Sequence, residues 1–337
     1  MNKRNLASLC RQIGGQSVWG KRGIIKTGTV WLPLAIMSWQ ATGAELAGRG
    51  VTYLLVFLAA VCRTQAAILG NDIADCDEDQ AAGKLRWICS VPRGSSYAIV
   101  AALVALGIVA LLLAGAPPAA QLVFLISSAL GISYSARPLR FKARGAHGPL
   151  AFSLSCSSFY VLVPWFWFSR DTALLVVLFP AVFLDKWVNL HFHQVVDYEA
   201  DRAQGTETCV VRTGLQRGRK TLRRSAWLAS MAMIALLALL LSELTGAGRI
   251  AILLALIAVA AAAGHASWAF HRASQPSALI KELPPLYLGL TFGALRILPP
   301  LLFIPLAFDN TLLSIPAGLS VATTFADSWF FSRYKYL

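Results

Sequence analysis

Ten consecutive residues, Gly70-Asn71-Asp72-Ile73-Ala74-Asp75-Cys76-Asp77-Glu78-Asp79, hold five of the 16 acidic side chains in this chain. They follow an apolar run from Val51 to Leu69. On a continuous helix Asp72, Asp75 and Asp79 fall on one face, at i, i+3 and i+7. Three like charges on one face repel, so the pattern predicts a compensating cation. Hard divalent cations such as Mg²⁺ take carboxylate oxygens and share them with substrate phosphates. A solvated acidic helix end is the plainer alternative, but a second cluster answers the first. Asp197-Tyr198-Glu199-Ala200-Asp201 follows the apolar segment Ala173 to Val196. Asp197 and Asp201 share a face at i, i+4, and the stripe runs back through His193 to Asn189. Two such clusters at the ends of two helices would hold metals around one diphosphate and neutralise its charge as it leaves. Asp77, Glu78 and Glu199 fall off these faces and are expected to be solvated.

The elements that position these residues are dictated by composition. The 337 residues are 57% hydrophobic and 14% charged, with mean hydropathy +0.61. That imbalance predicts an all-α polytopic membrane protein, because irregular backbone cannot face lipid. The net charge of +14 raises the question of nucleic acid. No nucleic-acid-binding motif accompanies it, and basic loops are what membrane topology requires, so nucleic acid is not expected as a partner. The lipid bilayer is.

Apolar segments run approximately over 27–44, 51–70, 96–115, 118–135, 149–169, 172–195, 225–243, 249–270, 285–307 and 310–331. Each is near the roughly 20 residues a spanning helix needs. A bundle of nine transmembrane helices is expected, ten if the last segment, which contains Pro316 and Asp327, also spans. One set of loops carries Lys84, Arg86 and Arg93, then Arg137, Arg140, Lys142 and Arg144, then Arg202, Arg212, Arg217, Arg219, Lys220, Arg223 and Arg224, and later Arg272 and Lys281. The opposite loops hold chiefly Arg49, Arg170 and Arg249. The positive-inside rule places the first set, and both aspartate clusters, on the cytoplasmic side. The expected organisation is a basic N-terminal segment (1–26), one transmembrane domain (27–331) and a short tail (332–337). The N-terminus has no apolar core with a cleavage site, so no signal peptide is expected. A bacterial cytoplasmic membrane is the expected location.

Asn71-Asp72-x-x-Asp75-x-x-x-Asp79 and Asp197-x-x-x-Asp201 resemble the paired aspartate-rich motifs of the UbiA-type intramembrane prenyltransferases, relatives of 4-hydroxybenzoate polyprenyltransferase, homogentisate prenyltransferase and chlorophyll synthase. A third element, Tyr134-Ser135-Ala136-Arg137-Pro138-Leu139-Arg140-Phe141-Lys142, resembles the Tyr-Ser-x-Pro-Pro-Leu-Arg-x-Lys loop of the last two branches. It departs from that loop at Arg137, where proline is expected. The resemblance implies Mg²⁺-dependent transfer of a prenyl group from its diphosphate to an unidentified acceptor, an aromatic or other electron-rich ring. Asp72, Asp75, Asp79, Asp197 and Asp201 would hold the metal. Asn71, Arg137, Arg140 and Lys142 would hold diphosphate, and Tyr134 would face the carbocation or donate a hydrogen bond. A cyclase of the same family, needing no acceptor, is the alternative. A cation-coupled transporter is less favoured, because transporters place ion sites near the bilayer midplane.

Ionisable residues inside apolar segments are functional candidates by default. Arg63 lies two turns before Asn71, and with Lys186 and Asn189 it is assigned to the acceptor side of the cavity. Asp185 and Lys186 are adjacent in sequence and are expected to have separate partners. Arg296 precedes Pro299-Pro300, where a helix break is expected. His193, one turn before Asp197, is the candidate base, and it stands where relatives often carry asparagine. The six cysteines show no CxxC or zinc spacing and are expected to be reduced.

Overall fold

The computed structural model describes residues 29–41, 49–81, 86–169, 171–272, 283–309 and 311–333. The expected N-terminal segment, Lys84, Arg170, Lys281 and Asn310 lie outside the described residues. Among the described residues every regular element is a helix, apart from one bridge between Gly145 and Thr208.

The helices are α1 (Trp31–Trp39), α2 (Arg49–Ala74), α3 (Cys76–Ala81), α4 (Arg93–Leu113), α5 (Pro118–Ser133), α6 (His147–Phe168), α7 (Thr172–Val196) and α8 (Tyr198–Ala203). After these come α9 (Cys209–Thr213), α10 (Leu215–Glu243), α11 (Gly246–Arg272), α12 (Pro285–Phe308) and α13 (Ser314–Arg333). Each expected apolar segment contains one of them. Seven of the described helices (α2, α4, α6, α7, α10, α11 and α12) are long and apolar enough to cross a membrane, and α5 is a shorter apolar helix of 16 residues. Seven such helices make the chain an integral membrane protein. The expected break near Arg296 is a π-helical stretch, Gly293–Ile297, which loosens α12 without ending it. A second such stretch, Ser158–Leu162, interrupts α6.

Apolar side chains line the outside of the bundle as well as its core. Leu113, Val176, Met231 and Ile257 are more than half exposed, as lipid-facing side chains are. Helices therefore associate by close packing and internal hydrogen bonds. Gly107 lets α4 approach Phe124 of α5 and Cys62 of α2. Gly289 and Gly293 of α12 lie against the Val259 and Ala255 carbonyls of α11, where any Cβ would overlap. Where α1, α2 and α12 meet, Trp31 stacks on Phe57 with 4.7 Å between ring centroids and meets Phe303 edge to face at 6.0 Å.

The two aspartate-bearing regions share one local plan. α2 ends just before Asp75, a six-residue helix (α3) follows, and α4 then packs along α2. α7 ends before Asp197, a six-residue helix (α8) follows, and α10 then packs along α7. The hydrogen bonds repeat as well. Asp75 N–H donates to Asn71 O (3.0 Å) and Asp79 N–H to Asp75 O (2.7 Å). Asp197 N–H donates to His193 O and Asp201 N–H to Asp197 O (both 2.8 Å). The local backbone plan is thus repeated, and by hydrogen bonding His193 occupies the position equivalent to Asn71.

Candidate active site

Both helix breaks and the loop after α5 lie at one end of the bundle. The loop is tied to the second motif by the Gly145–Thr208 bridge and by Gly145 N–H donating to Glu207 O (3.2 Å). It is tied to the first motif through side chains. Lys142 Nζ donates to Asp75 Oδ1, and Arg140 to Glu78 Oε1. Ser135 Oγ donates to Asn71 Oδ1. Within the loop, Lys142 N–H donates to Tyr134 O (2.8 Å), and Arg140 takes a left-handed backbone conformation (φ 39°), uncommon for a residue with a side chain.

Arg86, from the loop after α3, closes the network. Its Nε lies 2.7 Å from Asp79 Oδ2 and 3.8 Å from Asp72 Oδ1. The first motif therefore faces three cations, Arg86, Arg140 and Lys142. Arg137 is exposed and stands outside this network. Asp77 matches its expected exposure, with only Arg93 at 3.5 Å. Glu78 does not: expected to be solvated, it pairs with Arg140 and lies 3.8 Å from Lys142. Glu78 stands three residues after Asp75 on a backbone whose helical hydrogen bonds continue, so it shares that residue's cations, Arg140 and Lys142.

Burial raises the Asp75 carboxyl above the usual carboxylate range, against the pull of Lys142 and Arg140. Burial also raises the Tyr134 phenol strongly. The neighbouring Gln194 amide opposes that shift, and the negative charges of Asp201, Asp75 and Asp197 add to it. Tyr134 thus lies in the field of carboxylates from both motifs. Phe152 backs its ring at 6.0 Å between centroids.

On α7, Asn189, His193 and Asp197 are exposed and Asp201 is half-buried, consistent with the single stripe read from the spacing. His191 is buried, with Nε2 3.1 Å from Gly218 O, and joins α7 to α10. The interior candidates lie deeper. Arg63 is buried. Its guanidinium donates to Ser155 Oγ and Ser127 O, and it lies 5.9 and 6.0 Å from the Phe159 and Tyr160 rings. Lys186 donates to Thr29 Oγ1 (2.9 Å) and lies 5.8 Å from the Tyr160 ring. Contrary to expectation it also pairs with its neighbour Asp185 (3.0 Å), which accepts a hydrogen bond from Tyr287 (3.0 Å). Adjacent Cβ atoms do diverge on a helix, but a lysine stem is long enough to curl back where no water competes.

Cys76 and Cys89 form a disulfide, correcting the expectation that all six cysteines are reduced; Cys62, Cys156 and Cys209 are free and buried. The 3₁₀ turn Trp87–Ser90 packs Ile88 on Ala66, Leu69 and Ile73 of α2, which brings Cys89 to the helix break. Two arginines in one network were weighed differently from sequence: Arg140 by motif, Arg86 only as a topology charge. Ser135 and Gln194 carried no sequence signal beyond adjacency to candidates.

The donor set suits Mg²⁺. It consists of hard carboxylate oxygens, and the one sulfur inside the motif is consumed by the disulfide. Among the described residues no three potential ligands yet converge at ligating distance. In the first motif the carboxylates are instead taken up by Arg86, Arg140 and Lys142.

Comparison with known proteins identifies the fold and the family. The model of the UbiA prenyltransferase family matches residues 29–283. Among solved structures, a UbiA homologue from Archaeoglobus fulgidus bound to DMAPP and Mg²⁺ is similar, with 18% identity over 90% of this chain and 96% of that one, TM-score 0.57. The same homologue bound to GPP and Mg²⁺ gives 17% identity, coverage of 90% and 96%, and TM-score 0.56. The apo UbiA homologue from Aeropyrum pernix K1 gives 16% identity over 85% of this chain and 98% of that one, TM-score 0.57. No curated protein matches significantly. At these identities the structures speak for the fold, while the match over most of the chain decides the family: the chain belongs to the UbiA prenyltransferase family.

Proposed function

We propose that this protein transfers a prenyl group from an isoprenoid diphosphate to an aromatic or other electron-rich ring, releasing diphosphate in a Mg²⁺-dependent reaction. The observation that carries the reading is the repeated helix break, Asp75–Asp79 and Asp197–Asp201, with both copies tied to the one loop after Tyr134 at one end of an apolar bundle. Homologues of the same fold hold DMAPP or GPP with Mg²⁺, which supports both donor and metal.

Asp72, Asp75, Asp79, Asp197 and Asp201 would hold Mg²⁺, whose bound charge stabilises the leaving diphosphate. Arg86, Arg140 and Lys142 would then exchange carboxylate partners for phosphate oxygens, the arginines bidentately and the lysine as a point charge. Asn71, fixed by Ser135, offers the diphosphate its amide. Arg137, at the exposed edge of the loop, meets it on entry. Tyr134 presents a neutral phenol, its proton secured by burial, to the allylic carbon. The apolar interior keeps water from the carbocation while the prenyl tail extends among the helices. His193, beneath Asp197, accepts the proton lost by the ring after bond formation. Loop charge favours the cytoplasm for this end, while the Cys76–Cys89 disulfide beside the first motif is the opposing observation, since disulfides are rare in reducing compartments.

Arg63 favours transfer over cyclisation without an acceptor. Its buried guanidinium meets only hydroxyl, carbonyl and sulfur atoms and aromatic faces. With Lys186 and Asn189 it provides a polar wall suited to the oxygens of an acceptor rather than to hydrocarbon alone. Incubating purified protein with Mg²⁺ and labelled prenyl diphosphates, with and without candidate ring acceptors, and identifying products by mass spectrometry tests the proposal. Diphosphate release that requires an acceptor supports transfer. Release with a cyclic hydrocarbon product and no acceptor supports the cyclase, and no consumption of any prenyl diphosphate overturns both.

A further inference from the structure

α10 is longer than a membrane crossing requires. Its 29 residues extend about 43 Å, against a hydrocarbon core of about 30 Å. The surplus is its first three turns, Leu215 to Arg224, which hold Arg217, Arg219, Lys220, Arg223 and Arg224. One helix face runs the whole length by steps of three and four residues. It carries exposed Arg217, Lys220 and Arg224, then Trp227 and Leu228, then Met231 and Ile234. The opposite face, with Gly218, Leu222, Ala226, Ala229 and Met233, is buried in the bundle. No acidic residue occurs between Glu207 and Glu243 in the sequence, and Glu207 is paired with Arg212. No described carboxylate pairs with Arg217, Lys220 or Arg224.

We infer that this face is a docking surface for the headgroups of anionic phospholipids. The order along the helix matches the order of chemistry across a membrane surface. Cations lie at phosphate level, a half-exposed tryptophan at the interface and aliphatic side chains among the acyl chains. A soluble acidic partner would account for the cations but not for the continuous apolar strip beneath them. The surface lies outside the proposed catalytic machinery, so it stands or falls separately from the reaction. Because α10 begins just after the second aspartate motif, the bound lipid would border the mouth of the site.

The test uses the full chain in phosphatidylcholine nanodiscs doped with spin-labelled phosphatidylglycerol. Wild-type protein is expected to enrich phosphatidylglycerol in its lipid shell, and added salt is expected to weaken the enrichment. Each of R217Q, K220Q and R224Q is expected to weaken association about fivefold, and the triple variant on the order of a hundredfold. The charge-preserving pair R217K/R224K retains it. The single variants carry the test if the triple variant fails to fold. Absence of any wild-type preference for phosphatidylglycerol overturns the inference, as does unchanged enrichment in the single variants. Displacement of the labelled lipid by inorganic phosphate at equal ionic strength also overturns it, because the face would then select a soluble anion.

Discussion

Arg86 and Lys142 hold the aspartates that the metal would claim, so single substitutions separate metal binding from packing. Asp72→Ala or Asp197→Ala removes an oxygen ligand and leaves the bundle interfaces intact. Diphosphate release is expected to fall by about two orders of magnitude or more with the thermal midpoint nearly unchanged. Near-normal turnover of either variant at moderate Mg²⁺ refutes the metal assignment. Asp77→Asn touches only an exposed pair with Arg93 and is expected to change stability by under about 1 kcal/mol and activity little. His193 is the sharper case. It occupies the backbone position equivalent to Asn71, yet it carries an imidazole whose ordinary pKa of ~6.5 suits proton acceptance near neutrality. His193→Ala is expected to lose product formation far more than prenyl diphosphate binding, and His193→Asn to recover part of it if positioning suffices. Equal loss of binding and turnover in His193→Ala would make it a binding residue instead. The aspartates were readable because their spacing survives the helix break: i, i+4 hydrogen bonds continue through Asp75 and Asp197. The partners of Glu78 were not: it lies three residues from Asp75, and only the fold brings Arg140 and Lys142 to that side. Nor was the pairing of Asp185 with Lys186, which depends on side-chain reach in a dry interior.

At the scale of elements, small residues decide which helices touch. Gly289 and Gly293 form a small-x-x-x-small step on α12, set against the backbone carbonyls of α11. Gly293→Leu forces a side chain into Val259 and Ala255. It is expected to cost about 1–3 kcal/mol and lower the thermal midpoint, while Gly264→Leu on α11, where a Cβ meets open space, serves as the neutral control. Equal midpoints for the two variants would mean that α12 packs elsewhere. Apolar runs and their order were legible from hydropathy alone, because lipid demands long uninterrupted helices. What hydropathy could not show was the inside of each run. The π-helical stretches at Ser158–Leu162 and Gly293–Ile297 arise from packing, and the Cys76–Cys89 bond required the fold-back of Trp87–Ser90 onto α2. Segment 27–44 carried a spanning pattern, yet its described helix covers only nine residues.

The molecule as a whole is an asymmetric charge distribution wrapped around a duplicated helix plan. Two contacts place the three motif elements at one end: Lys142 with Asp75, and Gly145 with Thr208. α10 then crosses the bundle and delivers Arg249, at the start of α11, to the other end. The basic loops share the aspartate end, so the same charge asymmetry that orients insertion also surrounds an anionic substrate with cations. Tags inserted near Lys84, Arg144 and Arg217 are therefore expected to report a single compartment, the cytoplasm, and one near Arg249 the opposite side. Cysteine accessibility or fusion reporters measure this directly. If the first three tags divided between compartments, the motifs could not share one metal-bound diphosphate, and the prenyl-transfer mechanism would fail with the topology. If all three agreed but faced outward, the common site would survive, and loop charge would be a poor guide to the orientation of this bundle.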